Sequence, residues 1–337
     1  MNDSRKGGGT SRLPVTVIGG YLGAGKTTLL NRLLAEPHGM KLAVLVNDFG
    51  SVNVDAALIA NRNGETISLT NGCVCCTIGD NLGLALHDLA ERPDGPEHII
   101  IEASGVADPG KIAHYAASHP RLVLDGIVVI ADADTIRERA ADKYVGDLVR
   151  LQLAAADMIV LSKTDLAGAD ACWQVQGWIE SEVPGARLLA TPGASLFAGL
   201  LLGQRAALAR RMGAGGDNHR QTFAAWTFSR GRPLDGVALR ATIASLPPAV
   251  LRAKGIVRLA EEPGRRFVLQ LVGRRWSLER MDIDGGYDGL PSARSTIVCI
   301  GPAGQLDPAR LEALFARVAS AIVPPAIAAL LQREDRP

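Results

Sequence analysis

Residues Leu13 to Leu34 read LPVTVIGGYLGAGKTTLLNRLL. A short apolar run leads into Gly20, four intervening residues, then Gly25-Lys26-Thr27, and an amphipathic stretch follows. Strand, glycine loop and helix in that order form the setting in which this spacing binds phosphate. Glycines let the backbone wrap closely around an anion, so that its N–H groups point inward. The helix start adds its positive dipole end. The backbone of Gly20, Gly23, Ala24, Gly25, Lys26, Thr27 and Thr28 is therefore expected to bind nucleotide phosphates. Lys26 would reach the β- and γ-phosphates, and Thr27 would ligate Mg²⁺.

Outward from this loop, short apolar runs alternate with helix-period stretches from Leu13 to about Ala190. The runs include KLAVLVN, HIIIE, GIVVIAD and DMIVLS, and several are continuously apolar, as in strands buried on both faces. Helix-like stretches lie between them, among them Thr27–Glu36, Asn81–Glu91 and Asp142–Ala156. The rhythm predicts an α/β fold, a P-loop NTPase with a mainly parallel sheet. After the helical run Ser195–Met212 and the Gly-rich GAGGD, the rhythm changes to strands such as QTFAAWTFS and STIVCIG. We expect a disordered N-terminus over 1–12, a P-loop GTPase domain over 13–212, a linker over 213–220, a smaller α+β C-terminal domain over 221–325 and a tail over 326–337.

Composition sets broad limits. The chain has 337 residues, 47% hydrophobic and 21% charged, with a net charge of +1. That balance gives no bulk reason for nucleic-acid or membrane binding. The arginines of the C-terminal part lack the interleaved aromatics of a base-stacking surface. No apolar run is long enough to span a bilayer and the start lacks a secretory signal, so a cytoplasmic protein is expected.

Two further stretches complete a nucleotide site. HIIIEASGVADP places Glu102 at the end of an apolar strand, with Gly105 just beyond. Glu102 is expected to serve the Mg²⁺ side, and the Gly105 backbone to sense the γ-phosphate. DMIVLSKTDLAG places Lys163 and Asp165 after another buried strand. A carboxylate there accepts both donors of guanine's N1 and exocyclic amine, a pair adenine lacks, and the lysine stem lies along the base. GTP is the expected nucleotide.

The five cysteines are distributed unevenly, with Cys73, Cys75 and Cys76 crowded into NGCVCCTIGD. In a reducing compartment clustered thiols bind metal or do redox chemistry. Three thiolates hold Zn²⁺ or Co²⁺ at about 2.3 Å and leave a fourth position for exchange. Asp48, His119, His219 or a partner's side chain could fill it. Cys172 and Cys299 stand apart and are read as plain core residues.

Together GGYLGAGKTTLLN, NGCVCCTI, EASGVADP and SKTD resemble the CobW-like family of P-loop GTPases, related to the GTPases that insert nickel into metalloenzymes. The resemblance runs from Leu13 to about Val323 and takes in LRAKGIVRLA, VGRRWSLE and STIVCIG as the family's C-terminal domain. It implies GTP hydrolysis and the handling of zinc or cobalt. In the family the Cys-x-Cys-Cys motif is the metal site, which assigns that role to Cys73, Cys75 and Cys76. A glutamate also stands at the Mg²⁺-side strand end, here Glu102. This sequence departs from the family at Ser162, where asparagine is typical of the guanine motif. It departs again at Val46 and Ser51, where acidic residues are common, leaving Asp48. No histidine-rich insertion is present among the 6 histidines. The expected function is a GTP-hydrolysing metallochaperone with Lys26, Thr27 and Glu102 as catalytic residues. Its partner would be a client metalloprotein or cofactor-maturation enzyme, and a homodimer is allowed. The rival readings are a P-loop kinase acting on a small acceptor and a non-enzymatic nucleotide-binding redox or metal sensor. Asp48 is the candidate for orienting the attacking water.

Overall fold

The structure is a computed structural model that describes residues 12–35, 40–47, 65–69, 78–190, 223–281 and 294–320. Cys73, Cys75, Cys76, Asp48, Ser51 and His219 lie outside them, as do the helical run at 195–212, the linker at 213–220 and the tail. The described residues divide into two compact units, one built on 12–190 with Leu271–Arg275, the other on 224–270, 276–281 and 294–320.

In the first unit the chain runs β1 (Leu13–Gly19), α1 (Lys26–Ala35), β2 (Leu42–Asn47), β3 (Glu65–Leu69), α2 (Ile78–Glu91), β4 (His98–Ala103) and α3 (Pro109–Ser118). It continues with β5 (Leu122–Asp132), α4 (Ile136–Ala141), α5 (Gly146–Ala155), β6 (Met158–Ser162), α6 (Thr164–Ala167), α7 (Ala169–Glu182) and β7 (Leu188–Ala190). The seven strands form one sheet in the order β3-β2-β4-β1-β5-β6-β7. Every neighbouring pair is parallel. The apolar runs explain this: all of β4 is buried, as are the last five residues of β1, so both faces need helical cover. Val17, Leu45, Ile101, Val129 and Leu161 form the centre of the core with helix residues Leu86, Ala116, Leu153 and Ile179.

Because the strands are parallel, their carboxyl ends share one edge. Ile18 is in register with Glu102, Asn47 with both Ala103 and Leu69, and Asp132 with Ser162. Ligands of such sheets bind outside this edge, where the chain leaves β1 for strands on either side.

The expected helix over Asp142–Ala156 is present but starts four residues later, as α5 at Gly146. Asp142 Oδ1 accepts from the backbone N–H of Tyr144 at 2.8 Å and of Val145 at 3.2 Å. That local side-chain bonding competes with helix formation and separates α4 from α5. Cys172 and Cys299 are both buried, consistent with core residues.

The second unit carries β8 (Phe223–Arg230), α8 (Gly236–Ala244), β9 (Arg252–Val257), β10 (Phe267–Val272), β11 (Arg275–Arg280), β12 (Ser295–Pro302) and α9 (Pro308–Ser320). Its five-stranded sheet has the order β11-β10-β9-β12-β8, with β12 antiparallel to β9. Buried and half-buried residues alternate along β12, the pattern of a sheet with one covered face. Phe315 of α9 packs on Phe228 and Trp226, with ring centroids 4.9 and 5.2 Å away. Among the described residues no helix is long and apolar enough to cross a membrane.

Ile101, fully buried in β4, tests this packing. Ile101→Ala is expected to lower the stability of the first unit by about 2–5 kcal/mol, read as a shift in its urea unfolding midpoint.

Candidate nucleotide site

The loop between β1 and α1 is built as the sequence requires. Gly20 has φ of +135°, and a Cβ on it would lie 2.3 Å from the carbonyl oxygen of Ile130 in β5. No side chain fits there. Gly23 and Gly25 also have positive φ, at 76° and 94°. Lys26 opens α1 and is buried, and its Nζ donates to the carbonyl of Gly20 at 3.0 Å and of Tyr21 at 3.4 Å. The ammonium group is thus folded over the loop it would serve.

Thr27 and Glu102 meet directly. Thr27 Oγ1 donates to Glu102 Oε1 at 2.9 Å. Glu102 is 2% exposed, since it sits one residue inside the end of β4 beside β1. A half-buried hydroxyl and a buried carboxylate side by side are a hard oxygen donor set, which fits Mg²⁺ bound together with phosphates.

Beyond β4, Ser104 to Asp108 make a loop tied at both ends. Ala107 N–H bonds back to the Ser104 carbonyl at 2.9 Å. Asp108 Oδ1 accepts from Gly110 N–H at 2.8 Å and caps α3, with Pro109 at its first position. Gly105 packs on the phosphate loop so closely that a Cβ would lie 2.8 Å from the Leu22 backbone nitrogen. A residue absent from the sequence-based site holds the other side. Gln152 of α5 donates through Nε2 to the carbonyls of Gly105 at 3.1 Å and Ala107 at 2.9 Å. Its sequence signal is faint: a single polar residue on the apolar face of α5, beside Val149 and Leu153.

The loop after β6 joins the same edge. Ser162 Oγ donates to the Ala24 carbonyl of the phosphate loop at 2.7 Å and lies 3.3 Å from the Ala131 carbonyl. The hydroxyl therefore ties two loops 138 residues apart. Lys163 adopts a left-handed backbone, φ 55°, and its Nζ pairs with Asp132 Oδ2 at 2.8 Å. That ion pair fixes its stem along the sheet edge. Asp165 is exposed in the first turn of α6, open to a ligand.

His119 lies elsewhere. It ends α3 just before β5, whose Leu122 is in register with Leu13 at the start of β1. This is the edge opposite the phosphate loop. There its Nε2 meets His87 Nδ1 at 3.4 Å, while its Nδ1 accepts from Arg121 N–H at 3.3 Å. The backbone donor places the neutral ring's proton on Nε2, which donates to His87. Burial first, then the neighbouring His87, hold His119 below the usual histidine range. Among the described residues no group of three or more His, Cys, Asp or Glu side chains is placed to hold a metal.

Fold and site together define a P-loop nucleotide-binding protein. The family model for the CobW/HypB/UreG nucleotide-binding domain matches residues 14–189, and that for the cobalamin synthesis protein cobW C-terminal domain matches 223–319. A zinc chaperone CobW of Sinorhizobium sp is 31% identical over 340 residues, covering 86% of this chain and 93% of that protein. The zinc chaperone YjiA of Escherichia coli is 42% identical over 164 residues, 46% of this chain and 51% of that protein. The structure titled Zn(II)-bound YjiA GTPase from E. coli is 25% identical, covers 91% of this chain and 99% of that one, and superposes with a TM-score of 0.44. The chain belongs to the CobW/HypB/UreG family.

Gly20→Ala is expected to weaken binding of fluorescent mant-GDP by at least about tenfold, because positive φ and the Ile130 contact both oppose a Cβ. Ser162→Ala removes one internal hydrogen bond worth about 0.5–1.5 kcal/mol and should weaken the same binding only several-fold.

Proposed function

We propose that this chain is a GTP-hydrolysing metallochaperone that carries zinc, or cobalt, on Cys73, Cys75 and Cys76 and hands it to a client metalloprotein. The chain is a GTPase of its family. Two relatives are named zinc chaperones and a third a zinc-regulated GTPase metalloprotein activator, which makes zinc the first candidate for the cargo. Family membership favours hydrolysis over the kinase and the non-enzymatic sensor readings.

The observation that carries the reading is a shared edge. β3, the strand before the thiol loop, ends at Leu69, in register with Asn47, itself in register with Ala103 beside Glu102. A loop leaving Leu69 starts two strands from the Mg²⁺-side carboxylate. Movement of the nucleotide loops on hydrolysis would therefore act on the thiol claw through one sheet edge. Three soft thiolates retain the ion, and an open fourth position admits an acceptor's ligand.

The chemistry at the nucleotide follows from the side chains. Inward backbone N–H groups and the α1 dipole hold the phosphates, and the Lys26 ammonium stabilises charge that builds on the transferring group. Thr27 and Glu102 would hold Mg²⁺, which when bound supplies positive charge to the β- and γ-phosphate oxygens. Gly105 would present its backbone toward the γ-phosphate. Asp165 would accept the two guanine donors, with the Lys163 stem against the ring.

Two experiments test the halves of this account. Asp165→Asn replaces an acceptor by an amide that can donate to xanthine's 2-carbonyl. We expect GTP binding to fall by at least about tenfold and XTP binding to rise, read by competition against mant-GDP. Co²⁺ titrated into the reduced protein should produce thiolate charge-transfer bands that shift between GDP and a non-hydrolysable GTP analogue and weaken in Cys75→Ser. Bands that ignore the nucleotide would leave a GTPase with a static metal site.

A further inference from the structure

We propose that Gln152 is a positioning residue for GTP hydrolysis: its carboxamide latches the loop after β4 and sets the peptide orientations of the segment beside the γ-phosphate. This rests on the GTPase reading and on the phosphate-sensing role given to Gly105.

Gln152 is 1% exposed, so water does not stand in for its bonds. Its Nε2 bonds with the carbonyls of Gly105 and Ala107, at 3.1 and 2.9 Å. A terminal amide nitrogen has two N–H donors, so both are committed to this loop. Its neighbours on the buried face of α5, Val149 and Leu153, are apolar members of the core. An aliphatic side chain would fill this position without the desolvation cost that a buried amide incurs. The amide therefore answers a need of the loop rather than of the core.

The rest of the loop is already fastened. Gly105 abuts Leu22 of the phosphate loop, Ala107 N–H closes a turn onto Ser104, and Asp108 caps α3. The freedom left is rotation of the peptides after Gly105 and Ala107. In a trans peptide the C=O and the following N–H point in opposite directions. Holding the carbonyls of Gly105 and Ala107 thus fixes where the N–H groups of Val106 and Asp108 point. Oriented donors that need no rearrangement during reaction are what stabilise developing phosphate charge. Gln152 acts through the loop and touches no substrate.

The test compares Gln152→Met with the native full-length chain, using free-phosphate release from GTP, mant-GDP binding and hydrogen exchange. Methionine keeps the volume and removes the donors. We expect kcat to fall by about tenfold or more with KM within about threefold, because the loss falls on the reacting state. Mant-GDP affinity should stay within about twofold, and exchange should accelerate at 104–108. Unchanged kcat, or equal losses of kcat and mant-GDP affinity, would overturn the proposal. A second variant, Gln152→Glu, has a buried carboxylate that donates only when protonated. Its kcat relative to the native chain should rise between about pH 8 and about pH 6, and a flat ratio contradicts the latch. Lys26→Ala runs beside both. If it still releases phosphate, the GTPase reading itself fails. If it is silent while Gln152→Met matches the native chain, the latch alone fails.

Discussion

The hydrogen bond from Thr27 to Glu102 is the constraint on which the site depends. It joins the first turn of α1 to the end of β4 across 2.9 Å. It forms because β1 and β4 are parallel neighbours in register at Ile18 and Glu102. A carboxylate buried to 2% exposure demands partners, and the fold supplies a hydroxyl from the helix that also presents Lys26. Shift the register by one residue and Glu102 turns to the opposite face of the sheet. The buried, mainly apolar strands HIIIE and LPVTVIG hold that register by packing against both helical layers, so the core determines the geometry at the edge.

From that edge the remaining parts follow as a set of ties between loops. Ser162 reaches the phosphate loop, Lys163 reaches Asp132, and Gln152 reaches the loop after β4. In the proposed complex each tie would connect a segment near one part of the nucleotide with a segment near another. A change at the γ-phosphate would then have physical routes to α5 and, along the sheet edge, to the end of β3. This is the arrangement that a GTP-driven carrier needs, since a nucleotide can shift a metal site only by contacts that differ between its states.

Much of the fold was legible because its signals are local. The glycine spacing from Gly20 to Gly25 and the doubly buried strands can be read along the chain. The start of α5 was read at Asp142 instead of Gly146, because the delay comes from bonds that this one side chain makes to the backbone of Tyr144 and Val145. Gln152 was invisible for a different reason. Its partners lie 45 and 47 residues away, and one polar residue on an apolar face has no periodic signature. Ser162 read as a departure from the guanine motif, yet its hydroxyl supplies a loop-to-loop bond that only three-dimensional proximity discloses.

The central claim is that nucleotide state and metal affinity are coupled. Coupling free energy is reciprocal, so zinc must alter nucleotide preference by the factor with which nucleotide alters zinc affinity. The most direct measurement is calorimetry of GDP and a non-hydrolysable GTP analogue, with Mg²⁺, on reduced chain with and without one equivalent of Zn²⁺. The account predicts that the ratio of the two affinities changes on zinc loading, by at least about fivefold, and that the change disappears in Cys75→Ser. The same ratio with and without zinc would contradict it.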